Sequence, residues 1–412
     1  MKKFGKVLLK ILPYFLCVIT FLTGFLVGNG CLDKDVRAVK NLVEKYKQYY
    51  YFEEGDLIDL IEPTLLDEYS KYYTKEEYQK IKEGAKGYTD GIGLKIDTTT
   101  NKIKCVIGNS PCDVAGVKEG GIVKKIIVNG VEHQNVNQIL GQISIGTKIV
   151  LVVDYNGIEK FYNIKKSNYK QTFVRYMEQF GEYSFLGNDG IEFTKTSSSS
   201  FVLDSTTGYL KYTSFSGKDS GIEGSVGQFS YVLEKFADDN KRKLILDLRD
   251  NGGGYVDVLE KIASMVLPTS NGTKAVIGIA TNKKGNTQVF KSKSVTFEDY
   301  GIKKLVILAN SKTASASEVL IGAILDYASN YNDLKVSVLI SDENNGNTST
   351  YGKGIMQTTY SNFDGSAVKL TTALLTLPLS NKCIHGVGFN ESFDSRIKVV
   401  SENNIINHAL SL

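Results

Sequence analysis

The pattern that most restricts this chain is a strand, a loop of small residues and a helix, in that order and twice over. The first copy reads KLILDLRDNGGGYVDVLEKIASMVL and the second KLVILANSKTASASEVLIGAILDYA. In each, a short unbroken apolar run reads as a strand buried on both faces, and the segment after the loop has apolar residues at helical spacing. On the first helix Val256, Leu259, Ile262, Ala263 and Val266 share a face; on the second Val319, Leu320, Ala323, Ile324 and Tyr327 do. Strand then helix, repeated, requires helices packed on a sheet, and it leaves the loops at the carboxyl ends of strands, where chemistry collects. Residues 168–412 therefore read as one mixed α/β core.

The rest of the chain differs in pattern. Lys2, Lys3, Lys6 and Lys10 precede an uncharged stretch of 22 residues, Ile11 to Leu32, long enough as a helix to cross a hydrocarbon core. Residues 1–32 are expected to form a transmembrane signal anchor with the lysines inside and the working part extracytoplasmic. The alternative is a cleaved signal peptide and a secreted product. Residues 33–86 read as helical: Val36, Val39, Leu42, Val43 and Tyr46 mark an amphipathic stripe over 36–51, and a second helical segment runs through DLIDLIEPTLLDEYSKYYTKEEYQKIKEG. The stripe either packs on the protein's own core or mediates a homodimer. From 87 to 167 short β-branched runs alternate with glycine turns, GIGLKID, KIKCVIG, IVKKIIVNG and TKIVLVVDYNG among them, as in a small, mostly β module.

Composition excludes several classes. With 42% hydrophobic and 23% charged residues the chain is not disordered, and a net charge of +4 without a basic stripe argues against nucleic acid. The three histidines and five cysteines show no metal-ligand spacing, so neither a metal nor another cofactor is expected. Cys105 and Cys112 are read as two buried thiols or a pair; Cys17 lies in the apolar stretch, so disulfides do not organise the fold.

Four hydroxyls crowd into NSKTASASEVL, and SASE also reads as a capping box in which Glu318 reaches back to the Ser315 amide. Capping and chemistry are compatible, because a serine at a helix start sits beside backbone amides suited to an oxyanion. Three glycines in DLRDNGGG bend the chain and bare its amides. Gly253 and the amide of Ala316 are assigned as the two oxyanion donors, with Gly254 the alternative to Gly253. A base is also required. His133 and His408 have poor settings, which leaves His385 or a lysine whose pKa is brought from about 10.4 to near 7, at about 4 kcal/mol, by burial. Lys353 in STYGKGIMQ, between Gly352 and Gly354, can pack closely for that purpose.

Together TASASE, STYGKGIMQ and DLRDNGGG resemble the signature of the carboxy-terminal processing peptidases, relatives of tail-specific protease. DEYSKYYTKEEY resembles the segment ahead of that family's PDZ domain, and residues 87–167 resemble the PDZ domain itself. The resemblance implies an α+β multidomain protein whose peptidase core is of the ClpP/crotonase-like type. It implies Ser315 rather than Ser317 as nucleophile, Lys353 as general base and Gln357 as the residue that orients it. It also implies a serine endopeptidase acting near protein C-termini, with Gly91, Ile92, Gly93 and Leu94 forming a loop that binds the substrate carboxylate beside a strand to which the peptide adds. The non-enzymatic alternative is an inactive, membrane-tethered PDZ scaffold. Three features depart from the family: Ser315 and Lys353 are 38 residues apart, longer than usual, the KEGGIV turn has Gly121 where an aspartate is usual, and the terminal GVGFNES lacks the usual proline. Lys353 and Gln357, four apart, would be about 13 Å apart on a straight strand, so a bend is required and Gly354 is its expected site.

Overall fold

The computed structural model describes residues 66–177, 182–186, 192–196, 201–217, 224–268, 273–294, 297–331, 333–342 and 346–412, together with Val36, Val39 and Val43. The chain divides into two compact units, Met1–Glu68 and Tyr69–Leu412. In the first, Val36, Val39 and Val43 are helical; the rest of the expected 36–51 helix and the apolar stretch of residues 1–32 lie outside the described residues. Among the described residues no helix is long and apolar enough to cross a membrane.

The second unit holds an eight-stranded mixed sheet. Its order is Glu192–Thr196, Glu182–Leu186, Val174–Met177, Thr207–Tyr212, Lys243–Asp247, Lys304–Ala309, Lys335–Asp342 and Ile397–Ser401, the last five parallel to one another. Strand residues alternate between two cores, as pleating demands. Leu244 and Leu246 face the helices Ser225–Asp238, Val256–Val266 and Ala316–Ala328, while Ile245, Val306 and Leu308 pack with Ile405 and Ala409 of the last helix.

A second sheet of five strands centres on Ala367–Thr376. One edge of that strand pairs with Ile355–Ser361; the other is shared by Lys71–Tyr73 and Val276–Asn282, the latter followed by Thr287–Lys291. The helix Ala316–Ala328 is covered from this side too. A methyl on Gly322 would strike Leu377 at 2.2 Å, and residues 316–325 are all buried. The sequence stripe Val319, Leu320, Ala323, Ile324 is thus only part of its buried surface.

Tyr88–Gly91 and Ser167–Lys170 pair with each other and enclose a small, mostly β module with short helices and its own core around Ile126, Leu151, Val153 and Cys112. Its Cys105 and Cys112 are buried and unbonded. Arg175 of the large sheet grips Glu119 of the module through two bonds, 2.5 and 3.0 Å, and Glu119 also accepts the Val106 amide at 3.0 Å. A side chain at Gly121 has no space: its first carbon would lie 2.5 Å from Val153 Cγ1.

The helical reading of 56–84 needs one correction. Lys71–Tyr73 is a strand, and among the described residues of this segment, from 66 onward, the helix is Lys75–Ala85; residues 56–65 lie outside the described residues. Thr74 starts it with a reciprocal cap, its hydroxyl taking the Glu77 amide and the Glu77 carboxylate taking its own amide. The β-favouring tyrosines before the cap zip onto Ala367–Lys369 instead.

Candidate active site

Lys243–Asp247 and Lys304–Ala309 are neighbouring parallel strands with Asp247 opposite Leu308, so loops 248–255 and 310–315 leave the sheet at one end. They are sewn together. The Ala314 amide and the Ser317 hydroxyl both donate to the Asn251 carbonyl, at 3.1 and 2.9 Å, and the Thr313 hydroxyl donates to the Leu248 carbonyl at 2.9 Å. Ser317 and Thr313 are fully buried, so their hydroxyls hold the two loops to each other. Ser315 is half-buried and starts the helix at φ 57°, ψ −119°. A non-glycine residue pays about 1–3 kcal/mol for such a conformation and keeps it only where its surroundings dictate it.

Gly253 lies against this serine. Its φ is +93°, and a methyl there would lie 2.7 Å from the Ala314 carbonyl oxygen, 2.8 Å from the Ala316 nitrogen and 2.9 Å from Ser315 Cβ. The expected oxyanion pair, Gly253 and Ala316, is therefore adjacent. As first residue of the helix, Ala316 has no acceptor for its amide within the helix. The Gly253 amide donates to Asn251 Oδ1 at 3.0 Å, a bond it would have to yield to an oxyanion. Asp247, at the start of this loop, is fully buried. Burial alone would raise its pKa, but the Arg249 guanidinium at 2.6 Å, assisted by the Tyr209 hydroxyl, holds the carboxyl well below the usual range.

Lys353 enters from the five-stranded sheet, in the loop ahead of Ile355–Ser361. Its Nζ donates to Gln357 Oε1 at 2.8 Å and lies 5.0 Å from the centre of the Tyr69 ring. Gln357 Nε2 in turn donates to the Tyr69 carbonyl. One feature helps residues four apart to meet: the pairing with Ala367–Thr376 slips between Met356 and Gln357, skipping Thr372, which re-aims the side chain. Gly354, the expected bend, has ordinary φ; its smallness serves a close approach, since a methyl would lie 2.6 Å from the His385 nitrogen. Lys353 is half-buried, short of the deep burial expected of it.

Glu318 closes the gap between the two halves. Its Oε2 accepts the amides of both Ser315, at 2.9 Å, and Lys353, at 2.8 Å, so residues 38 apart in sequence are backbone neighbours on one oxygen atom. The capping-box reading accounts for the first bond alone. His385 is exposed, with its ring edge-on to Tyr69 at 6.2 Å. Among the described residues no cluster suited to a metal ion is found.

Of the loop expected to bind a carboxylate, Gly91 ends a strand opposite Ser167, Ile92 is buried, and Leu94 begins Leu94–Ile96, paired with Ile103–Val106. Gly93, at φ +83°, has no space for a side chain, since a methyl would overlap the Ser110 side chain at 1.9 Å. A cavity of about 370 Å³ is lined by Cys105 to Gly108 of this module and by Arg175, Ser214, Gly252 and Gly253 of the core. Tyr69, which packs on Lys353 and holds Gln357, lies in the DEYSKYY segment, and nothing in that segment's own pattern singles it out.

A serine at a helix start, beside a glycine loop at parallel strand ends and joined to a lysine loop, is an arrangement suited to a serine peptidase. The family profile of peptidase family S41 matches residues 206–394. The probable CtpA-like serine protease of Staphylococcus epidermidis is 28% identical over 387 residues, covering 90% of this chain and 69% of its own. The Staphylococcus saprophyticus counterpart is 28% identical over 370 residues, covering 87% and 65%. A solved photosystem II D1 C-terminal processing protease aligns over 85% of this chain and 84% of its own, with 17% identity and a TM-score of 0.48. Residues 206–394 thus carry the profile of the S41 peptidases, and over most of its length the chain is similar to CtpA-like serine proteases.

Proposed function

We propose that the chain is a serine endopeptidase that cleaves proteins near their C-terminus with a Ser315–Lys353 dyad. Lys353 Nζ takes the Ser315 proton as Oγ attacks the scissile carbonyl, and the oxyanion is received by Ala316 and Gly253, or by Gly254 in place of the latter. Collapse breaks the C–N bond, Lys353 returns the proton to the leaving amine, and the acyl group stays on Ser315. Water, deprotonated by the same lysine, then releases the acid and restores the serine. Gln357 orients the amine. What carries this reading is the single Glu318 oxygen shared by the Ser315 and Lys353 amides, which makes the long sequence separation immaterial.

Residues 87–167 act in this proposal as a PDZ-like domain that captures a free C-terminus. In support, Leu94–Ile96 pairs on one side alone among the described strands, leaving an edge for a peptide strand, and the cavity leads from this module to Gly253. Residues 1–32 would hold the enzyme at the membrane with this part outside.

The test is a fluorophosphonate probe together with turnover of a protein bearing an apolar, unstructured tail. Wild type is labelled at Ser315 and cleaves; Ser315→Ala and Lys353→Ala do neither at more than a residual rate. Undiminished cleavage by either variant refutes the dyad, and tail binding without turnover by wild type identifies a scaffold. Collapse of activity in His385→Ala would instead assign the base to His385.

A further inference from the structure

Glu318 is fully buried, yet the chemistry just described gives it no part. Its carboxyl group receives four donors. Oε1 takes the Thr350 hydroxyl at 2.6 Å and the Gly352 amide at 2.7 Å; Oε2 takes the Ser315 amide at 2.9 Å and the Lys353 amide at 2.8 Å. A carboxylate has about four lone-pair directions, and here each is used. Three of the four partners are amides, which can donate and never accept, so the site suits an anion and not a glutamine or a protonated acid. Burial raises the carboxyl above its ordinary value, and the four hydrogen bonds act in the opposite direction.

The partners also divide by origin. Ser315 belongs to the start of the Glu318 helix itself, whereas Thr350, Gly352 and Lys353 lie on the loop feeding the second sheet. The receiving loop is tightly backed. Thr350 Oγ1 accepts the Phe389 amide at 2.8 Å, the Gly386 amide donates to the Gly352 carbonyl at 2.8 Å, and a methyl on Gly352 would lie 2.9 Å from the Gly388 nitrogen. With both loops fixed behind, one planar group between them sets their separation.

We propose that Glu318 is a positioning residue for the reaction: a clamp that fixes the Ser315–Lys353 spacing by binding the backbone amides of both. The proposal rests on the Ser–Lys reading and extends it to a residue that touches neither substrate nor reacting atoms. Glu318→Gln keeps the shape but turns an NH₂ toward donors, so at least one loop must move. A displacement near 1 Å costs about 10²-fold in rate.

The experiment compares wild type, Glu318→Gln and Thr350→Val in probe labelling of Ser315, in kcat and KM on the tail-bearing protein, and in thermal midpoint. Expected for Glu318→Gln is labelling and kcat lower by about 10²-fold per folded molecule, with KM within about twofold. Thr350→Val withdraws one donor from Oε1 while leaving both Oε2 bonds. It serves if Glu318→Gln does not fold, and its labelling should fall by about three- to tenfold, less than a full 1 Å displacement costs. Wild-type labelling by folded Glu318→Gln, or by folded Thr350→Val where that variant stands in, overturns the clamp; so does a loss that appears in KM alone. Absence of label on wild-type Ser315 is a different failure, that of the Ser–Lys reading, and removes the basis of the clamp with it.

Discussion

The three glycines at 252–254 make a sharp test, because their surroundings assign a different outcome to each. At Gly253 a methyl would meet the Ala314 oxygen at 2.7 Å, the Ala316 nitrogen at 2.8 Å and Ser315 Cβ at 2.9 Å. Ordinary contacts lie near 3.5–4 Å, so the two loops must part by about 1 Å. That shift falls on the serine and the first helical amide, and a displacement of this size costs about 10²-fold in rate. The φ of +93° adds about 1–2 kcal/mol for an L residue, and overpacking about 1–3 kcal/mol more. Gly253→Ala should therefore lose about 2–5 kcal/mol of stability as well as most of its labelling rate. Gly252→Ala meets nothing within 4 Å and should be neutral on both counts. Gly254→Ala would strike the Phe215 carbonyl oxygen at 2.3 Å, so it should reduce stability through the Phe215 bridge. Urea midpoints and fluorophosphonate labelling rates for the three variants measure both effects. Equal labelling of Gly253→Ala and Gly252→Ala would refute the placement of this loop against Ser315.

Gln357→Ala deprives Lys353 Nζ of its 2.8 Å acceptor and should lower kcat by about tenfold with KM little changed; an unaltered kcat would leave Gln357 no orienting role. Asp247→Asn leaves the Arg249 guanidinium, 12% exposed, with Glu402 as its remaining ion partner and should cost about 3 kcal/mol. Its pH dependence has a definite sign. The folded-state pKa of Asp247 is depressed, so its contribution is full above the unfolded value near 3.9 and is lost as pH falls through the lower folded value. The stability gap between wild type and variant should narrow below about pH 4; a gap constant from pH 6 to pH 2 would make the loss one of packing.

The two strand–loop–helix units were legible because doubly buried parallel strands need uninterrupted apolar runs, and because their loops carry glycines and serines that few other settings demand. Ser317 and Ser315 were not separable from their own stretch. What separates them is the Asn251 carbonyl, which occupies the Ser317 hydroxyl and belongs to the other loop. The meeting of Lys353 and Gln357 depends on a pairing slip opposite Thr372, a property of two strands together that the period of one cannot reveal. Lys71–Tyr73 escaped for a similar reason: its partner strand lies nearly three hundred residues along, and locally its charges and tyrosines fit a helical stripe.

The proposed dyad is thus assembled between two sheets, each of which holds one member. Ser315, Gly253 and Ala316 hang from the parallel strands of the larger sheet, whereas Lys353 and Gln357 stand at the rim of the smaller one. One link crosses between the two sheets' elements, and a second lies within the smaller sheet. Glu318 ties backbone to backbone, and the Tyr69 carbonyl holds Gln357 Nε2 so that Oε1 faces the lysine. The Gln357 amide cannot turn over without exchanging a good donor–acceptor match for two like-with-like contacts at once, each costing roughly 1–3 kcal/mol where buried. The orientation of the amine is therefore set from Tyr69, two residues before the strand Lys71–Tyr73, which is itself held by its pairing with Ala367–Lys369 and by the bond from the Thr371 amide to Ser70 Oγ. Withdrawing that strand from the sheet edge would release the Gln357 amide while leaving Ser315 and its helix untouched.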